Sequence, residues 1–199
     1  MTKNHVLSDL QLAFIGAGAM GEAMIAGLLS RHDLEPAHIV ASDRHRERLD
    51  ALRETLRIDV TLDNGVAAGK GQVVVIAVKP QVLPTVLDDL RGKIDKNALV
   101  LSIVAGATIE SLAVGLQHRA IVRTMPNTPA QVGEGMTVWT ATPEVSDIQR
   151  DQARSIVGAL GHQLYVDDER FLDVSTAISG SGPAYVFLLM EAMIDAAVH

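Results

Sequence analysis

The chain of 199 residues is long enough for one complete domain and part of a second, and its composition of 48% hydrophobic and 21% charged residues is typical of a globular protein. Its formal net charge of −7 gives no electrostatic basis for binding nucleic acid or an anionic membrane, so we expect neither as a partner. The absence of cysteine excludes disulfides and thiolate metal sites. The first residues lack the apolar core of a signal peptide, and the sequence has no apolar run of about 18 residues, so we predict a cytoplasmic protein.

The stretch Leu12–Leu29, with the sequence LAFIGAGAMGEAMIAGLL, predicts a strand, a tight turn and the start of a helix. Gly16 permits the turn, Gly18 lets the backbone approach a pyrophosphate, and Gly21 lets the helix pack against the strand. Free N–H groups and the helix dipole at the helix start favour the phosphate charge. A second strand ends just before Asp43, 22 positions after Gly21, where dinucleotide-binding domains place the residues that read the adenosine ribose. The alternative is a glycine-rich turn without a ligand.

Strands and helices alternate along most of the chain, which predicts an α/β fold: a Rossmann-like, doubly wound, mostly parallel sheet with right-handed crossovers. The strand signals stop near 166–169, where acidic residues follow a predicted edge strand. Strands are predicted at 12–15, 39–41, 73–78, 98–103, 120–123, 136–140 and 163–165, with a short element of unassigned type at 59–62. Helices are predicted at 19–31, within 42–56, and at 82–90, 109–116, 168–175 and 184–198.

The last predicted helix, Ala184–Val198, is apolar around most of its circumference, and Glu191 and Asp195 are its only charged residues. At 15 residues it is too short to span a membrane, so we expect protein to bury it. The sequence supplies no later helix for this purpose. Either a partner subunit covers the helix, or the sequence is incomplete.

Ligands of open parallel sheets bind at the carboxyl ends of the strands, so the loops after the strands are the candidate sites. Lys79 precedes Pro80, which forces an extended backbone and directs Lys79 into the crevice; the alternative is a solvated loop lysine. The small residues of 104–106 allow close passage of a flat ring. The loop Met125–Pro129 is a rigid turn with amide and hydroxyl groups, or else a plain structural loop.

The sequence predicts no catalytic side chain and no metal ligand, since no pair of carboxylates, no His–Asp–Ser arrangement and no metal-ligand spacing stands out. The seven histidines are scattered along the chain. This pattern favours a reaction in which a cofactor carries the chemistry and the protein mainly orients it.

Five motifs closely resemble the Δ1-pyrroline-5-carboxylate reductase family of proline biosynthesis: FIGAGAMGEAMIAGLL, VVIAVKPQ, SIVAGATIESL, RTMPNTPAQVGEGMT and SGSGPAYVFLLMEAMIDAA. Together they cover nearly the whole chain in the family's order. The resemblance implies a dinucleotide-binding domain at 1–166, and at 167–199 the beginning of a helical dimerisation and substrate domain. It further implies a homodimer or higher homo-oligomer. The implied activity is hydride transfer from C4 of NAD(P)H to the C=N carbon of 1-pyrroline-5-carboxylate, giving L-proline, with no residue compelling as the proton donor.

The resemblance also assigns cofactor contacts, residue by residue, to the matching motifs. The pyrophosphate is assigned to Ile15, Gly16, Ala17, Gly18, Ala19 and Met20, the adenosine ribose region to Asp43 and Arg44, and the adenine side to Asn64. The length of the cofactor is lined by Ala77, Val78, Lys79 and Pro80, and its nicotinamide end by Ile103, Val104 and Ala105.

The identity of the cofactor stays open between NADP(H) and NAD(H). Many family members have Asn-Arg-Ser where this chain has Asp43, Arg44 and His45. An aspartate repels a 2′-phosphate and favours NADH, whereas Arg44 can hold that phosphate. The family resemblance favours NADPH.

Family members continue past the position at which this sequence stops, with further helices and a glycine-rich loop that holds the substrate. We therefore expect the 199-residue form to bind the cofactor but to turn over poorly. Two alternatives remain. One is a related reductase acting on a 3-hydroxy acid, although such enzymes use a lysine that Ala184–Val198 lacks. The other is a cofactor-binding but inactive fragment.

Overall fold

The computed structural model describes residues 6–198, and these form eight strands and eight α-helices. The strands are β1 (Leu12–Ile15), β2 (Ile39–Ser42), β3 (Asp59–Thr61), β4 (Val73–Ile76), β5 (Leu99–Ser102), β6 (Ile121–Met125), β7 (Gly135–Ala141) and β8 (Gly161–Tyr165). The helices are α1 (Ala19–Ser30), α2 (Arg46–Leu56), α3 (Asn64–Ala68), α4 (Leu83–Leu90), α5 (Ile109–Leu116), α6 (Asp147–Gly158), α7 (Arg170–Ser175) and α8 (Gly182–Val198). Short 3₁₀ turns occur at Pro36–His38, Pro80–Val82 and Thr128–Val132, and a π-helical turn at Thr176–Gly180.

All eight strands belong to one sheet in the order β3-β2-β1-β4-β5-β6-β7-β8, which is parallel except where β7 runs antiparallel to β6. Ile15 pairs with both Ser42 and Ile76, and Ile76 in turn pairs with Ser102. These residues end β2, β1, β4 and β5, so four neighbouring strands stop in register at one edge. The prediction of a doubly wound, mostly parallel sheet is confirmed.

Helices cover both faces of the sheet because the central strands are apolar on both sides. Phe14 and Val75 contribute to one core together with residues of α1, α2 and α6. Their neighbours Ile15 and Ile76 contribute to a second core with residues of α3, α4 and α5. The alternation of side chains along each strand therefore divides the apolar residues between two helical layers.

The predicted strands and helices are confirmed to within a few residues, but two helices were missed. Helix α3 is only five residues long, and it begins where Asp63 accepts a hydrogen bond from the Val66 N–H. Helix α6 begins with a capping box, in which Ser146 and Gln149 each accept a hydrogen bond from the other's backbone N–H. The pattern Ser-x-x-Gln was present in the sequence and identifies this start.

The predicted length of the last helix is wrong. Helices α7 and α8 are joined through the π-helical turn into one helix, Arg170–Val198, of 29 residues. Among residues 6–198, this helix is long and apolar enough to cross a membrane, judged by length and composition alone. The argument that the last helix is too short to span a membrane is therefore wrong. Its apolar side chains, Phe187 and Leu188 among them, are exposed.

The segment Ser179–Pro183 continues this helix, although the sequence predicted two separate helices at 168–175 and 184–198. The Ser179 hydroxyl donates to the Ser175 carbonyl at 3.1 Å, and the Ser181 hydroxyl donates to the Thr176 carbonyl at 3.0 Å. The Thr176 carbonyl also accepts the Ser181 N–H at 3.0 Å, which is the i→i+5 bond of the π-helical turn. The serine hydroxyls therefore add to backbone bonds that continue through the turn. Pro183 lies in the first turn of α8, where a missing N–H costs little.

Packing of α1 against the end of α6 gives a stability prediction. A Cβ at Gly27 of α1 would lie 2.7 Å from the Ala159 carbonyl oxygen, whereas a Cβ at Gly158 would meet nothing within 4 Å. We expect Gly27→Ala to lower the free energy of unfolding by about 1–2 kcal/mol through overpacking. Gly158→Ala, the matched control, should raise it by about 0.5 kcal/mol through helix propensity. Urea denaturation measures both, and equal effects would contradict the proposed contact.

Candidate functional site

The residues predicted to bind a dinucleotide lie in loops that follow four strands ending at the same edge of the sheet. The turn after β1 contacts the end of β2, where the Gly16 N–H donates to the Ser42 carbonyl at 2.8 Å. On its other side β1 meets the end of β4, where the Ala77 N–H donates to the Ile15 carbonyl at 2.8 Å. The Ile103 N–H similarly donates to the Ile76 carbonyl at 3.1 Å, which links β5 to β4. The fold thus brings the predicted segments together along one edge.

Two glycines pack the turn tightly against its surroundings. Gly16 has φ +96°, and a Cβ there would lie 2.7 Å from the Ala77 carbonyl oxygen and from a methyl group of Val78. A Cβ at Gly21 would lie 2.6 Å from the Gly16 carbonyl oxygen. A side chain at either position would displace backbone, so the fold itself requires these two glycines.

The fold does not require the middle glycine of the motif, Gly18. Gly18 has an ordinary extended backbone, with φ −66° and ψ 176°, and the atom nearest to a Cβ placed there is 4.0 Å away. Gly18 is the N-cap of α1 and offers no side chain to the N–H groups of the first helical turn. Open space beside uncapped N–H groups at a helix start suits an anion such as a pyrophosphate.

The peptide groups of Ala17 are held from both sides. Its N–H donates to Asp43 Oδ2 at 3.0 Å, and its carbonyl accepts a hydrogen bond from Arg48 Nε. Arg48 also donates to Glu22 in the first turn of α1, at 3.0 Å. The other Asp43 oxygen accepts from the His45 N–H at 3.0 Å. Asp43 therefore holds the glycine turn with one carboxylate oxygen and the start of α2 with the other.

Arg48 and Glu22 were not among the residues predicted from sequence. Arg48 belongs to a run in which arginines alternate with acidic residues, and nothing in that run distinguishes it from Arg44 or Arg46. Arg44 is exposed, and its Nε lies 3.0 Å from His45 Nε2. Only the tertiary contact between α2 and the glycine turn identifies Arg48.

Asn64 lies at the first turn of α3 and links two elements. Its side-chain oxygen accepts from the Ser42 hydroxyl at 2.8 Å, and its nitrogen donates to Asp89 at 3.1 Å. A cleft of about 590 Å³ opens beside it, lined by three basic and three acidic side chains: Arg46, Arg53, Lys93, Asp50, Asp63 and Asp89. The Val66 N–H lowers the pKa of the Asp63 carboxyl, with smaller contributions in the same direction from the Gly65 N–H and the charge of Lys93.

The loops after β4 and β5 complete this edge. Lys79 is exposed and has the extended backbone expected before a proline, with ψ 145°. After β5, the Val104 side chain is buried and its N–H donates to the Ser102 hydroxyl at 3.2 Å, whereas Ala105 is exposed. A ligand can reach Ala105 directly and the buried Val104 chiefly through its backbone.

The loop after β6 serves the fold. The Asn127 side-chain oxygen accepts from the Met136 N–H at 2.9 Å, which ties the loop to the next strand. This supports the structural interpretation of Met125–Pro129, which the sequence had left open.

Two family models match the chain in separate regions. Residues 11–106 match the model of NADP oxidoreductase coenzyme F420-dependent, and residues 169–199 match that of pyrroline-5-carboxylate reductase dimerisation. A pyrroline-5-carboxylate reductase of Synechocystis sp. is 42% identical over 190 residues, which cover 96% of this chain and 70% of the relative. The chain belongs to the pyrroline-5-carboxylate reductase family. The resemblance predicted from the motifs is confirmed.

Solved structures agree with this family. A pyrroline-5-carboxylate reductase from Coxiella burnetii superimposes with a TM-score of 0.89 at 35% identity, covering 96% of this chain and 71% of that one. The Plasmodium falciparum pyrroline carboxylate reductase with NADP bound gives a TM-score of 0.85 at 28% identity, covering 96% of this chain and 70% of that one. The chain thus spans about 70% of the length of these reductases.

The brace on the glycine turn gives a prediction that needs no ligand. Arg48→Met removes the donor to the Ala17 carbonyl and the partner of Glu22. We expect faster amide hydrogen exchange in residues 16–20 and a loss of about 1 kcal/mol in the free energy of unfolding, since the ion pair is partly exposed. Arg53→Met, which removes an exposed arginine from the same helix, is the control and should change neither. Equal exchange rates in the two variants would show that Arg48 does not brace the turn.

Proposed function

We propose that this protein is a pyrroline-5-carboxylate reductase that uses NADPH. The observation that carries the proposal is the open space at Gly18, a position where the fold tolerates a side chain and the sequence has none. It lies beside the uncapped start of α1, at the edge where four strands end in register. We propose pyrroline-5-carboxylate as the substrate because the chain belongs to the pyrroline-5-carboxylate reductase family.

The cofactor is proposed to lie across this edge, from the end of β2 to the end of β5. Its pyrophosphate would accept hydrogen bonds from the first N–H groups of α1, which the helix dipole reinforces. The adenosine would lie towards Asn64, and the nicotinamide towards the loop after β5. The residues proposed to contact it are Ile15, Gly16, Ala17, Gly18, Ala19, Met20, Asp43, Arg44, Asn64, Ala77, Val78, Lys79, Pro80, Ile103, Val104 and Ala105.

When bound, NADPH would supply a hydride from nicotinamide C4 to the C=N carbon of pyrroline-5-carboxylate, whose nitrogen takes up a proton, giving L-proline and NADP⁺. The chain's own contribution is to bind and orient. The rigid turn at Gly16 fixes the pyrophosphate end, while the small residue Ala105 lets a flat ring lie close to the backbone. We assign no proton donor to this chain.

NADPH is favoured over NADH by the geometry around Asp43. Its two carboxylate oxygens already accept N–H groups of Ala17 and His45, so the aspartate is oriented towards the turn. The neighbouring Arg44 is exposed, and it can reach a 2′-phosphate by giving up its hydrogen bond to the exposed His45. The Plasmodium falciparum relative is described with NADP bound.

We propose that the exposed apolar helix Arg170–Val198 packs against a second copy of the chain, giving a homodimer or a larger homo-oligomer. The match of residues 169–199 to the family's dimerisation model supports this occupant over a membrane. The proposed domains are 1–166 and 167–199, a division supported by the last strand, which ends at Tyr165. We place the protein in the cytoplasm.

The direct test is to incubate the purified protein with NADPH and pyrroline-5-carboxylate and to follow NADPH absorbance and L-proline together. We expect both NADPH loss and proline formation, at the low rate expected for the 199-residue form. Cofactor binding without turnover would overturn the proposal and identify a cofactor-binding but inactive form. Oxidation of a 3-hydroxy acid with NADP⁺ in place of proline formation would indicate the related class of reductase.

The role of Gly18 can be tested by filling the space beside it. Gly18→Val should weaken NADPH binding at least about tenfold, because a branched side chain occupies the position of the pyrophosphate. The circular dichroism spectrum should not change, since a Cβ there meets no protein atom closer than 4.0 Å. Gly158→Ala is the control with normal affinity. Fluorescence titration measures the NADPH affinity. If the folded Gly18→Val variant binds NADPH as tightly as the unmodified protein, the pyrophosphate does not lie beside Gly18.

Cofactor preference provides a separate test. Arg44→Ala should weaken NADPH binding by about 1.5–3 kcal/mol, the range for a hydrogen bond to a charged group, and leave NADH binding nearly unchanged. Arg154→Ala, which removes an exposed arginine from α6, should affect neither cofactor. Equal losses for the two cofactors on titration would show that Arg44 does not read the 2′-phosphate.

A further inference from the structure

A buried arginine joins the sheet to the start of the long helix. Arg123 of β6 has a side chain that is only 4% exposed. Its Nη1 lies 2.7 Å from Glu169 Oε1, and its Nη2 lies 2.8 Å from Asp173 Oδ1. The two carboxylates are four residues apart and so lie on one face of the helix start. One guanidinium therefore fixes both the position and the rotation of the helix Arg170–Val198.

Glu169 makes a second bond that links the helix to the loop after β5. Its Oε1 also accepts from the Ile109 N–H at 2.8 Å. Ile109 is the first residue of α5, whose initial N–H groups have no partner within their own helix. The loop 103–108 precedes it directly, and this loop includes the residues proposed to lie at the nicotinamide. A single carboxylate oxygen thus connects that loop, β6 and the long helix.

The sheet register brings these groups to the same edge as the cofactor. Arg123 pairs with Ser102, the last residue of β5. Further along the helix, a Cβ at Gly180 would lie 3.1 Å from the Met125 methyl group at the end of β6. The π-helical turn therefore lies at the carboxyl end of β6, which is the neighbour of β5 in the sheet.

We propose that Glu169, held by Arg123, is a positioning residue for hydride transfer. By binding the Ile109 N–H and the Arg123 guanidinium with one oxygen, it sets the separation between the loop 103–108 and the helix Arg170–Val198. This inference rests on the proposed reductase function. If Glu169 loses its charge, the buried Arg123 guanidinium keeps the more exposed Asp173 as its acidic partner among the ion pairs described for residues 6–198. The attachment of the helix to β6 is then weaker.

The test compares Glu169→Ala and Glu169→Gln with the control Asp168→Ala. Asp168 precedes Glu169 and is similarly exposed, but its side chain bonds only to Arg170 among the contacts described for residues 6–198. Two readouts are needed. The first is amide hydrogen exchange at Ile109 and in the loop 103–108. The second is kcat, KM for NADPH, and the isotope effect with NADPH deuterated at the transferred position.

We expect Glu169→Ala to raise exchange at Ile109 at least about tenfold, because its N–H loses its acceptor. We expect kcat to fall about tenfold and the deuterium isotope effect to rise, since a misplaced donor makes hydride transfer more rate-limiting. KM for NADPH should stay within about twofold, because the glycine turn is untouched. Glu169→Gln keeps an acceptor for Ile109 but loses the charge, so its kcat should be intermediate. Asp168→Ala should match the unmodified protein.

Unchanged exchange at Ile109 in Glu169→Ala would overturn the coupling between loop and helix. If exchange rises in Glu169→Ala but the isotope effect and kcat do not change, the role in hydride transfer is overturned. The same conclusion holds if Glu169→Ala loses folded protein while the folded fraction shows a normal isotope effect. If the unmodified protein does not reduce pyrroline-5-carboxylate, the proposed function fails, and the exchange measurement still decides the coupling.

Discussion

The close contact between the glycine turn and the end of β4 is the constraint on which the site depends. At Gly16 the backbone comes so near to the Ala77 carbonyl that only hydrogen fits between them. This contact requires φ +96° and directs the chain into α1 at one fixed angle. Asp43 and Arg48 then hold the N–H and the carbonyl of Ala17, the next residue. The N–H groups at the start of α1 are thereby oriented before any ligand arrives, and such preorganisation lowers the cost of binding.

The second constraint lies at the opposite end of the site, where the long helix joins the sheet. Its first turn is fixed by ion pairs with the buried Arg123. In contrast, Gly182–Val198 makes few contacts with the sheet and exposes its apolar side chains. An exposed apolar surface of this kind marks an interaction site. The start of the helix is therefore held by its own subunit, and its exposed apolar part suits burial by a second subunit.

Local sequence patterns predicted most of the fold. Buried strands such as Val73–Ile76 are continuous apolar runs bounded by polar or small residues, and α5 was predicted at Ile109–Leu116, the bounds it has. The glycine motif placed the turn correctly because its spacing reflects contacts made within a single strand–turn–helix unit. Helix α3 escaped prediction because five residues carry too little periodicity.

Interactions between distant segments could not be predicted in the same way. Arg123 and Glu169 are 46 positions apart, and Arg48 is 31 positions from Ala17, so neither pair leaves a pattern in the sequence. The junction at Ser179–Pro183 was misjudged for a related reason. Glycine and proline disfavour a continuous helix, but the backbone bond from the Ser181 N–H to the Thr176 carbonyl and the added bonds of the serine hydroxyls carry the helix through the wider turn. Local propensity is overridden there by these hydrogen bonds.

The central claim is that the start of α1 binds the pyrophosphate of NADPH at the edge where β1, β2, β4 and β5 end together. A crystal structure of the protein with NADPH measures this directly. We predict pyrophosphate oxygens within about 3.2 Å of the backbone nitrogens of Gly18 and Ala19, and a nicotinamide ring beside Ala105. A pyrophosphate bound away from the glycine turn, with Gly18 facing open solvent in the complex, would contradict the account.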